Sequence, residues 1–343
     1  MNLIMVGTNH RYSSIELRER LSFSKKSIKN ALLFLKERKV LSGAVILSTC
    51  NRVEVYASAE DPNIGIREIV SFISRYHEIA VQKFSPSIYI YKGKDAIRHL
   101  CYVACGLDSL VLGETQILGQ VRSSLIEAEL AGFANVPLKY IFYSAISAAK
   151  RAQGQTRISE GKASVASVAI DFIKERIGSL SGKNILIVGV GKVTELVLRY
   201  LKDEKPNVVF ISNRTFDKAK TLAAQIEAKA VRFDDFKKIL GKADVVITAT
   251  ASPHFVIRCD TFETPLGHKL LIVDLALPRD VDPRVREIEG VDLFSMEELG
   301  AVIKKNIDKK IPEAEKAREI VDIEAARIWN ETIKSEREPA PLH

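Results

Sequence analysis

The spacing of hydrophobic and polar residues changes along the chain and predicts a different architecture in successive parts. In residues 1–160, short apolar or alternating runs predict strands at 3–7, 43–47 and 53–56. Amphipathic spacing predicts helices over most of the remainder, at 24–39, 64–77, 96–106, 116–132 and 138–153. We therefore predict an N-terminal α+β domain over residues 1–160, with a largely helical second half.

Residues 161–290 show the pattern of a parallel sheet. Nearly continuous apolar runs, typical of strands buried on both faces, occur at 184–188, 208–212, 243–248 and 270–274. Predicted helices at 164–177 and 192–202 flank the first run, and a turn with two glycines, Gly189-Val190-Gly191, follows it. Because strand, glycine turn, helix and strand form the dinucleotide-binding unit, we predict a Rossmann-type domain over residues 161–290.

Residues 291–343 predict helix. A short start at 295–299 precedes one long charged helix from about residue 301 to 336, interrupted or begun near Pro312. Its apolar stripe fits either a structural strut or a helix that binds a partner. The predicted fold class is therefore a multidomain α/β protein with an N-terminal α+β domain, a Rossmann-type domain and a C-terminal long helix.

Composition and charge narrow the class of protein. The chain has 343 residues and 46% hydrophobic content, which is typical of a globular protein with two or three domains. No apolar run reaches the roughly 18 residues of a membrane span, and the N-terminus resembles a strand and not a leader, so we expect a cytoplasmic protein.

Of the net charge of +8, +7 lies in residues 1–160. This favours an anionic partner, with RNA as one candidate, although many domains carry such charge without binding nucleic acid.

The four cysteines differ in their surroundings. Cys50 lies in a polar break between two predicted strands, and Arg52 two residues later can lower its pKa, so Cys50 is a candidate nucleophile. The alternative is a small buried hydrophobic residue. Cys101 and Cys105 fall on one face of a predicted helix, with no further ligands at metal spacing, so core packing is expected and no metal site.

The predicted nucleotide site departs from the usual glycine fingerprint. Its third position is Thr194, which we expect to push the helix slightly off the strand and reduce affinity. After the second strand, Ser212-Asn213-Arg214 replaces the acidic residue that binds the ribose of NAD, and a hydroxyl with a guanidinium suits a 2′-phosphate. NADPH is therefore the predicted cofactor. The predicted cofactor-binding residues are Gly189, Val190, Gly191, Lys192, Val193, Thr194, Ser212, Asn213 and Arg214.

Four motifs resemble one enzyme family. They are 7–10 with 16–19, 47–56 around Cys50, 106–121 (GLDSLVLGETQILGQV) and 277–283. On these residues the chain closely resembles the glutamyl-tRNA reductase family. The resemblance implies that the Cys50 thiolate attacks the ester of glutamyl-tRNA(Glu), and that NADPH reduces the resulting thioester to glutamate-1-semialdehyde, the first step of the five-carbon route to 5-aminolevulinate and tetrapyrroles.

The resemblance also implies residue roles. His99 is the candidate for proton transfer, and Arg52 would grip the substrate's side-chain carboxylate in a bidentate pair. Further residues of the same motifs would bind or line the substrate pocket: Thr49, Asn51, Ser109, Glu114, Thr115, Gln116 and Gln120. His10 is expected to support the active-site loop.

Some expectations remain open. Family members typically carry a dimerisation bundle after the long helix, and most of it is absent here, so we expect a homodimer through the helix, a monomer or a borrowed partner. Gln153 stands where the family commonly has arginine. Glutamate-1-semialdehyde aminomutase is an expected partner. The alternatives are a binding protein that holds glutamyl-tRNA without efficient reduction, and an NADP-dependent dehydrogenase of a small acid that does not use tRNA.

Overall fold

The computed structural model describes residues 2–159, 164–224, 228–262, 266–299 and 310–337. They form two compact units. The first unit comprises 2–159 together with 310–337, and the second comprises the described residues between 164 and 299. Elements are numbered in chain order across both units.

The first unit is built on a four-stranded antiparallel sheet of order β2-β3-β1-β4. Its strands are β1 (Asn2–Asn9), β2 (Leu41–Ser48), β3 (Arg52–Ala59) and β4 (Tyr89–Lys92). Every residue of β3 is buried, because helices cover the sheet and β3 lies between β2 and β1. A charged residue on this strand therefore needs a partner inside the protein.

Seven α-helices complete the part of the first unit that the structure describes. They are α1 (Ile15–Leu21), α2 (Lys25–Glu37), α3 (Pro62–Tyr76), α4 (Gly93–Cys105), α5 (Gln116–Leu130), α6 (Val136–Gln155) and, far along the chain, α11 (Ile311–Arg337). Side chains of Ser14, Ser24, Asp61 and Asn135 accept hydrogen bonds from the first turns of α1, α2, α3 and α6. Such caps satisfy backbone donors that have no partner within a helix, and they fix where these helices begin.

The C-terminal helix α11 belongs to the core of the first unit, where it packs against α4 and α6. Its buried face includes Ala317, Val321 and Ile328, each fully removed from solvent. Burial of a Val or Ile side chain stabilises the folded state by about 1.5–3 kcal/mol relative to an exposed side chain. Two ion pairs help to orient α11 on these helices: Arg98 of α4 pairs with Asp322, and Arg151 of α6 pairs with Glu324.

The second unit is a parallel six-stranded sheet of order β10-β9-β8-β5-β6-β7. The strands are β5 (Asn184–Val188), β6 (Val208–Asn213), β7 (Lys229–Arg232), β8 (Val245–Thr248), β9 (Leu270–Asp274) and β10 (Val291–Ser295). Its helices are α7 (Val165–Ile177), α8 (Lys192–Leu201), α9 (Phe216–Ala224) and α10 (Phe236–Leu240). The strand order reverses between β5 and β8, which is the doubly wound arrangement in which nucleotides bind at the carboxyl ends of the strands.

The predicted fold class is confirmed, and the predicted strands at 184–188 and 270–274 have the observed bounds. The strands β4, β7 and β10 were not predicted, because they are only four or five residues long and carry polar residues. Residues 296–299 are helical, as expected, while the predicted helix over 301–309 lies outside the described residues. No helix in the described ranges is long and apolar enough to cross a membrane.

Candidate functional site

Cys50 lies at the tip of a tight turn that joins β2 to β3. The backbone N–H of Thr49 donates to the carbonyl of Arg52 over 2.9 Å, and the Thr49 hydroxyl accepts from the N–H groups of Asn51 and Arg52, each at 3.2 Å. The carbonyl of the buried Asn51 accepts from the N–H of His10 at 2.9 Å. These hydrogen bonds hold the turn and therefore fix the backbone of the half-buried Cys50.

Arg52 lowers the pKa of the Cys50 thiol, as expected, but stronger effects raise it. Burial and the Glu114 carboxylate raise the pKa of Cys50 to about 12, and the opposing effects of Arg18 and Arg52 are smaller. The expectation of a lowered pKa was wrong because the sequence shows a nearby cation but not burial or the carboxylate from a distant segment. In the free protein Cys50 is therefore protonated at neutral pH, and a nearby group has to accept its proton when it attacks.

This protonation state leads to a labelling prediction. At pH 7.5, iodoacetamide is expected to modify the exposed Cys259 faster than Cys50, because only a small fraction of Cys50 is thiolate. The rate at Cys50 should keep rising with pH up to about 12, as the thiolate fraction increases. Peptide mass spectrometry after timed quenching measures both rates. Faster modification of Cys50 than of Cys259 at pH 7.5 would contradict the buried, protonated thiol.

Arg52 is almost completely buried and is already bound to two carboxylates. Its Nη1 donates to Glu54 Oε1 at 2.7 Å, and its Nη2 lies 3.0 Å from Asp108 Oδ2 and also donates to the carbonyl of Asp108. The predicted grip on a substrate carboxylate stays a prediction, and the structure adds a condition. A substrate carboxylate would have to share the guanidinium with Glu54 and Asp108.

Glu54 is the centre of this network, and the sequence analysis did not identify it. Its carboxylate, on the fully buried strand β3, accepts hydrogen bonds from Arg52, from the hydroxyls of Tyr56 (2.7 Å) and Tyr89 (2.6 Å), and from His99 Nε2 (2.8 Å). Burial alone would raise the pKa of Glu54, but Arg52 and His99 hold it well below its ordinary value. The available signal was a glutamate between two valines on a buried strand, which requires several donors.

The same network orients His99. A carboxylate only accepts hydrogen bonds, so the Nε2 atom that faces Glu54 carries the proton, and Nδ1 is left as the acceptor. The imidazole lies 4.8 Å from the ring of Tyr91 and 5.5 Å from that of Tyr89, centroid to centroid. Arg52 and His99, both predicted for the site from the family resemblance, are thus joined through one buried carboxylate.

The segment between α4 and α5, together with the start of α5, carries the remaining predicted substrate residues. Gly106 and Gly113 have φ angles of +76° and +78°, and a Cβ on Gly113 would lie 1.9 Å from the carbonyl oxygen of Ile158, so only glycine fits there. The segment places Asp108 on Arg52, with the buried Ser109 beside it. Of the other predicted residues, Thr115 is exposed, Gln116 and Gln120 are half-buried on α5, and Glu114 is 7% exposed.

Glu114 has a property that matters for the thiol. Its burial raises its pKa to about 7, against the opposing charge of Arg52. At neutral pH the carboxyl group is therefore only partly ionised, and its charge raises the pKa of Cys50. Cys101 and Cys105, the two cysteines predicted to pack in the core, are fully buried in α4. Within the described ranges, no three His, Cys, Asp or Glu side chains are placed to hold a metal ion.

In the second unit, the glycine turn fits a dinucleotide phosphate. Gly189 has a φ of +107°, and a Cβ there would lie 2.6 Å from the carbonyl of Ala249. A Cβ on Gly191, the residue before α8, would meet open space, so backbone can approach a ligand at the start of this helix. Lys192 is exposed at the same end, with Val190 and Val193 half-buried beside it.

The remaining predicted cofactor-binding residues are Thr194, on α8, and the residues at the end of β6 and just after it. Thr194 is fully buried and donates its hydroxyl to the carbonyl of Gly189 at 3.1 Å, so it ties α8 to the turn, and its predicted effect on affinity stays a prediction. The hydroxyl of Ser212 is buried and has no hydrogen-bond partner among the described residues, as expected of a group that meets a ligand. Asn213 donates to the carbonyl of Thr215, and Arg214 is exposed. These residues fit a nucleotide with a 2′-phosphate.

Comparison with known proteins agrees with this geometry. Residues 6–156 match the family described as glutamyl-tRNAGlu reductase, N-terminal domain, and residues 171–302 match shikimate/quinate 5-dehydrogenase. The chain is 39% identical to a glutamyl-tRNA reductase of Pelotomaculum thermopropionicum over 94% of this chain and 74% of that protein. It is 35% identical to one of Geotalea uraniireducens over 96% and 77%.

A solved structure extends the match to the fold. The glutamyl-tRNA reductase of Methanopyrus kandleri is 34% identical, covers 98% of this chain, is itself covered over 82% of its length, and has a TM-score of 0.55. The resemblance therefore covers both units and the segments that contain Cys50, His99 and Glu114. The chain belongs to the glutamyl-tRNA reductase family.

Proposed function

We propose that this protein reduces the glutamate of glutamyl-tRNA(Glu) to glutamate-1-semialdehyde with NADPH, the first step of the five-carbon route to tetrapyrroles. The observation that carries the proposal is that one chain combines a thiol held at the tip of a rigid turn with a sheet whose carboxyl edge fits a dinucleotide. Catalysis and recognition of glutamyl-tRNA are assigned to residues 1–160, and cofactor binding is assigned to residues 161–290.

The first chemical step is acyl transfer to Cys50. The sulfur attacks the ester carbonyl, the carbon–sulfur bond forms, and the bond to the ribose oxygen of the tRNA breaks. The thiol loses its proton and the ribose oxygen gains one. Glu114, with its pKa of about 7, suits acceptance of the first proton. His99 would deliver the second from Nδ1 in its doubly protonated form, while Glu54 holds the Nε2 side of the ring in place.

Other side chains of the first unit would hold the amino acid. Thr49, Ser109 and Gln120 suit hydrogen bonds to its α-amino group and carbonyl, and Asn51, Thr115 and Gln116 would line the same pocket. Arg52 would meet the side-chain carboxylate while it keeps its contacts to Glu54 and Asp108. The positive charge of residues 1–160 favours approach of the tRNA.

The second step is reduction of the thioester. NADPH, when bound, would supply a hydride to the carbonyl carbon of the thioester. Breakage of the carbon–sulfur bond then releases the aldehyde, and the Cys50 thiolate regains its proton. In the second unit, the N-terminus of α8 would hold the pyrophosphate, and Ser212 with Arg214 would hold the 2′-phosphate. A thioester accepts hydride more readily than an oxygen ester, which explains a cysteine at position 50.

Two partners belong to the proposal. The aldehyde product is reactive, which favours direct transfer to glutamate-1-semialdehyde aminomutase. A homodimer through the C-terminal helix is supported by the side chain of Ile323, which is 69% exposed on α11.

The proposal predicts a strict dependence on both substrates. Glutamyl-tRNA labelled on glutamate, incubated with the protein and NADPH, is expected to yield labelled semialdehyde, which is measured as its oxime. NADH should be at least about tenfold less efficient, because the Arg214 guanidinium has no phosphate to bind. In the variant Arg214→Ala, turnover with NADPH should fall toward the NADH rate, while the rate with NADH itself serves as the internal control.

The outcomes separate the alternatives. Reduction of a small acid without tRNA would favour the dehydrogenase. Tight binding of glutamyl-tRNA with neither acylation of the protein nor product would favour the binding protein. Either result, obtained with folded protein, would overturn the proposed reductase.

A further inference from the structure

Two buried carboxylates lie in series at the carboxyl edge of the second unit's sheet. Asp274 is the last residue of β9 and is 2% exposed, and Asp280 is completely buried. Asp274 accepts from the hydroxyl of Thr248 at 2.8 Å and from the backbone N–H groups of Asp280 and Val281 at 2.9 and 3.0 Å. Asp274 therefore fixes the backbone that carries Asp280.

Asp280 in turn holds both ends of the segment after β8. Its carboxylate accepts from the N–H of Thr250 at 2.7 Å and also from the hydroxyl of Thr250. Its carbonyl oxygen accepts from the N–H groups of Val256 and Ile257 at 2.6 and 2.9 Å. One buried residue thus closes the loop 250–257.

This loop begins directly against the glycine turn. The N–H of Ala249 donates to the carbonyl of Val188 at 2.9 Å, and a Cβ on Gly189 would lie 3.0 Å from the side chain of Thr250. In the sheet, β8 lies on the opposite side of β5 from β6. A dinucleotide with its pyrophosphate at α8 and its 2′-phosphate near Arg214, beyond β6, extends its other half across the end of β8.

We propose that Asp280 is a positioning residue for the nicotinamide half of the cofactor, and that it acts by holding Thr250 and the loop 250–257 beside the glycine turn. The inference rests on the proposed function, because it takes the bound nucleotide to be NADPH.

The arrangement is costly for a purely structural role. Burial raises the pKa of Asp274 to about 6, and burial together with the charge of Asp274 raises that of Asp280 to about 7. Two buried acidic groups, one of which disfavours ionisation of the other, are unnecessary for packing alone, since apolar residues of similar size would fill the same volume. A carboxylate at position 280 supplies two acceptors to a single residue, Thr250, and so fixes both its backbone and its side chain.

The test compares two ligands on the full chain. For Asp280→Asn, titration calorimetry with NADPH and with adenosine 2′,5′-bisphosphate, the fragment that lacks the nicotinamide half, gives two dissociation constants. The amide cannot accept both hydrogen bonds from Thr250. We expect affinity for NADPH to fall about tenfold and affinity for the fragment to change less than about twofold. Asp282→Asn is the matched control, because Asp282 is also buried but its carboxylate is bound to Arg284.

Substitutions of Thr250 test the same contact from the other side. Thr250→Val loses the hydroxyl donor and should weaken the binding of NADPH but not that of the fragment. Thr250→Ser keeps both donors, so the ratio of its two dissociation constants should equal that of the wild type. An equal loss for both ligands in Asp280→Asn, or no loss for either, overturns the inference. Wild-type protein that binds the fragment and NADPH equally well also overturns it, whereas wild-type protein that binds neither refutes the proposed use of NADPH.

Discussion

Cys50→Ser is expected to abolish acylation of the protein and to lower reductase turnover by about 10³-fold or more. A serine hydroxyl in the same turn is far less nucleophilic than the thiol, and an oxygen ester, if formed, accepts hydride poorly. The measurement uses glutamyl-tRNA labelled on glutamate, without NADPH. Label that stays on wild-type protein in acid and is released by hydroxylamine identifies the thioester. Addition of NADPH should then convert this label to the semialdehyde.

Cys259→Ser is the matched control for this experiment. Cys259 is an exposed free cysteine of the second unit, far from Cys50 in sequence, and its replacement should leave acylation and turnover close to wild type. Equal labelling of Cys50→Ser and wild type would show that another group carries the acyl chain, and would remove Cys50 from the mechanism.

Glu54→Gln is expected to have the largest combined effect on stability and activity. The amide leaves the guanidinium of Arg52, 1% exposed, without the carboxylate at 2.7 Å. Removal of one partner of a buried ion pair costs about 3–5 kcal/mol. The same substitution removes the acceptor that orients His99, so turnover of the remaining folded protein should fall by at least about tenfold.

The single tryptophan offers a specific probe of this loss. Trp329 lies on α11 in the first unit, so its fluorescence during urea unfolding reports the first unit and not the second. Glu68→Gln is the control, because Glu68 pairs with the partly exposed Arg38 and its loss should cost less than about 1 kcal/mol. A Glu54→Gln variant as stable as Glu68→Gln would show that the buried network contributes little to folding.

Local patterns in the sequence were enough to predict the elements that carry the candidate site. The apolar run before Gly189 predicted β5, and the polar break between two apolar runs predicted the turn at Cys50, because each depends on residues that are neighbours in the chain. The resemblance to a family then supplied His99 and Glu114.

Contacts between distant residues could not be predicted in the same way. Glu54 meets His99, 45 residues later, and Arg52 meets Asp108, 56 residues later, only because the antiparallel sheet and α4 bring these segments together. The pKa of Cys50 was predicted in the wrong direction for the same reason, since burial and the charge of Glu114 are properties of the folded chain. The hydrogen bonds that connect Asp274 to Asp280, and Asp280 to Thr250, likewise form only because parallel strands end at one edge of the sheet.

The order of the two units along the chain affects how the protein reaches its final fold during synthesis. The first unit is discontinuous, and its helix α11 follows the whole second unit. On the ribosome, the apolar surfaces of α4 and α6 that α11 covers are therefore completed last, after about 150 further residues have emerged. The entropic cost of closing so long a loop grows only with the logarithm of its length, and early folding of the second unit shortens the effective loop. We therefore expect the nascent first unit to pass through a stage in which the second unit is folded while the core of the first unit is still open.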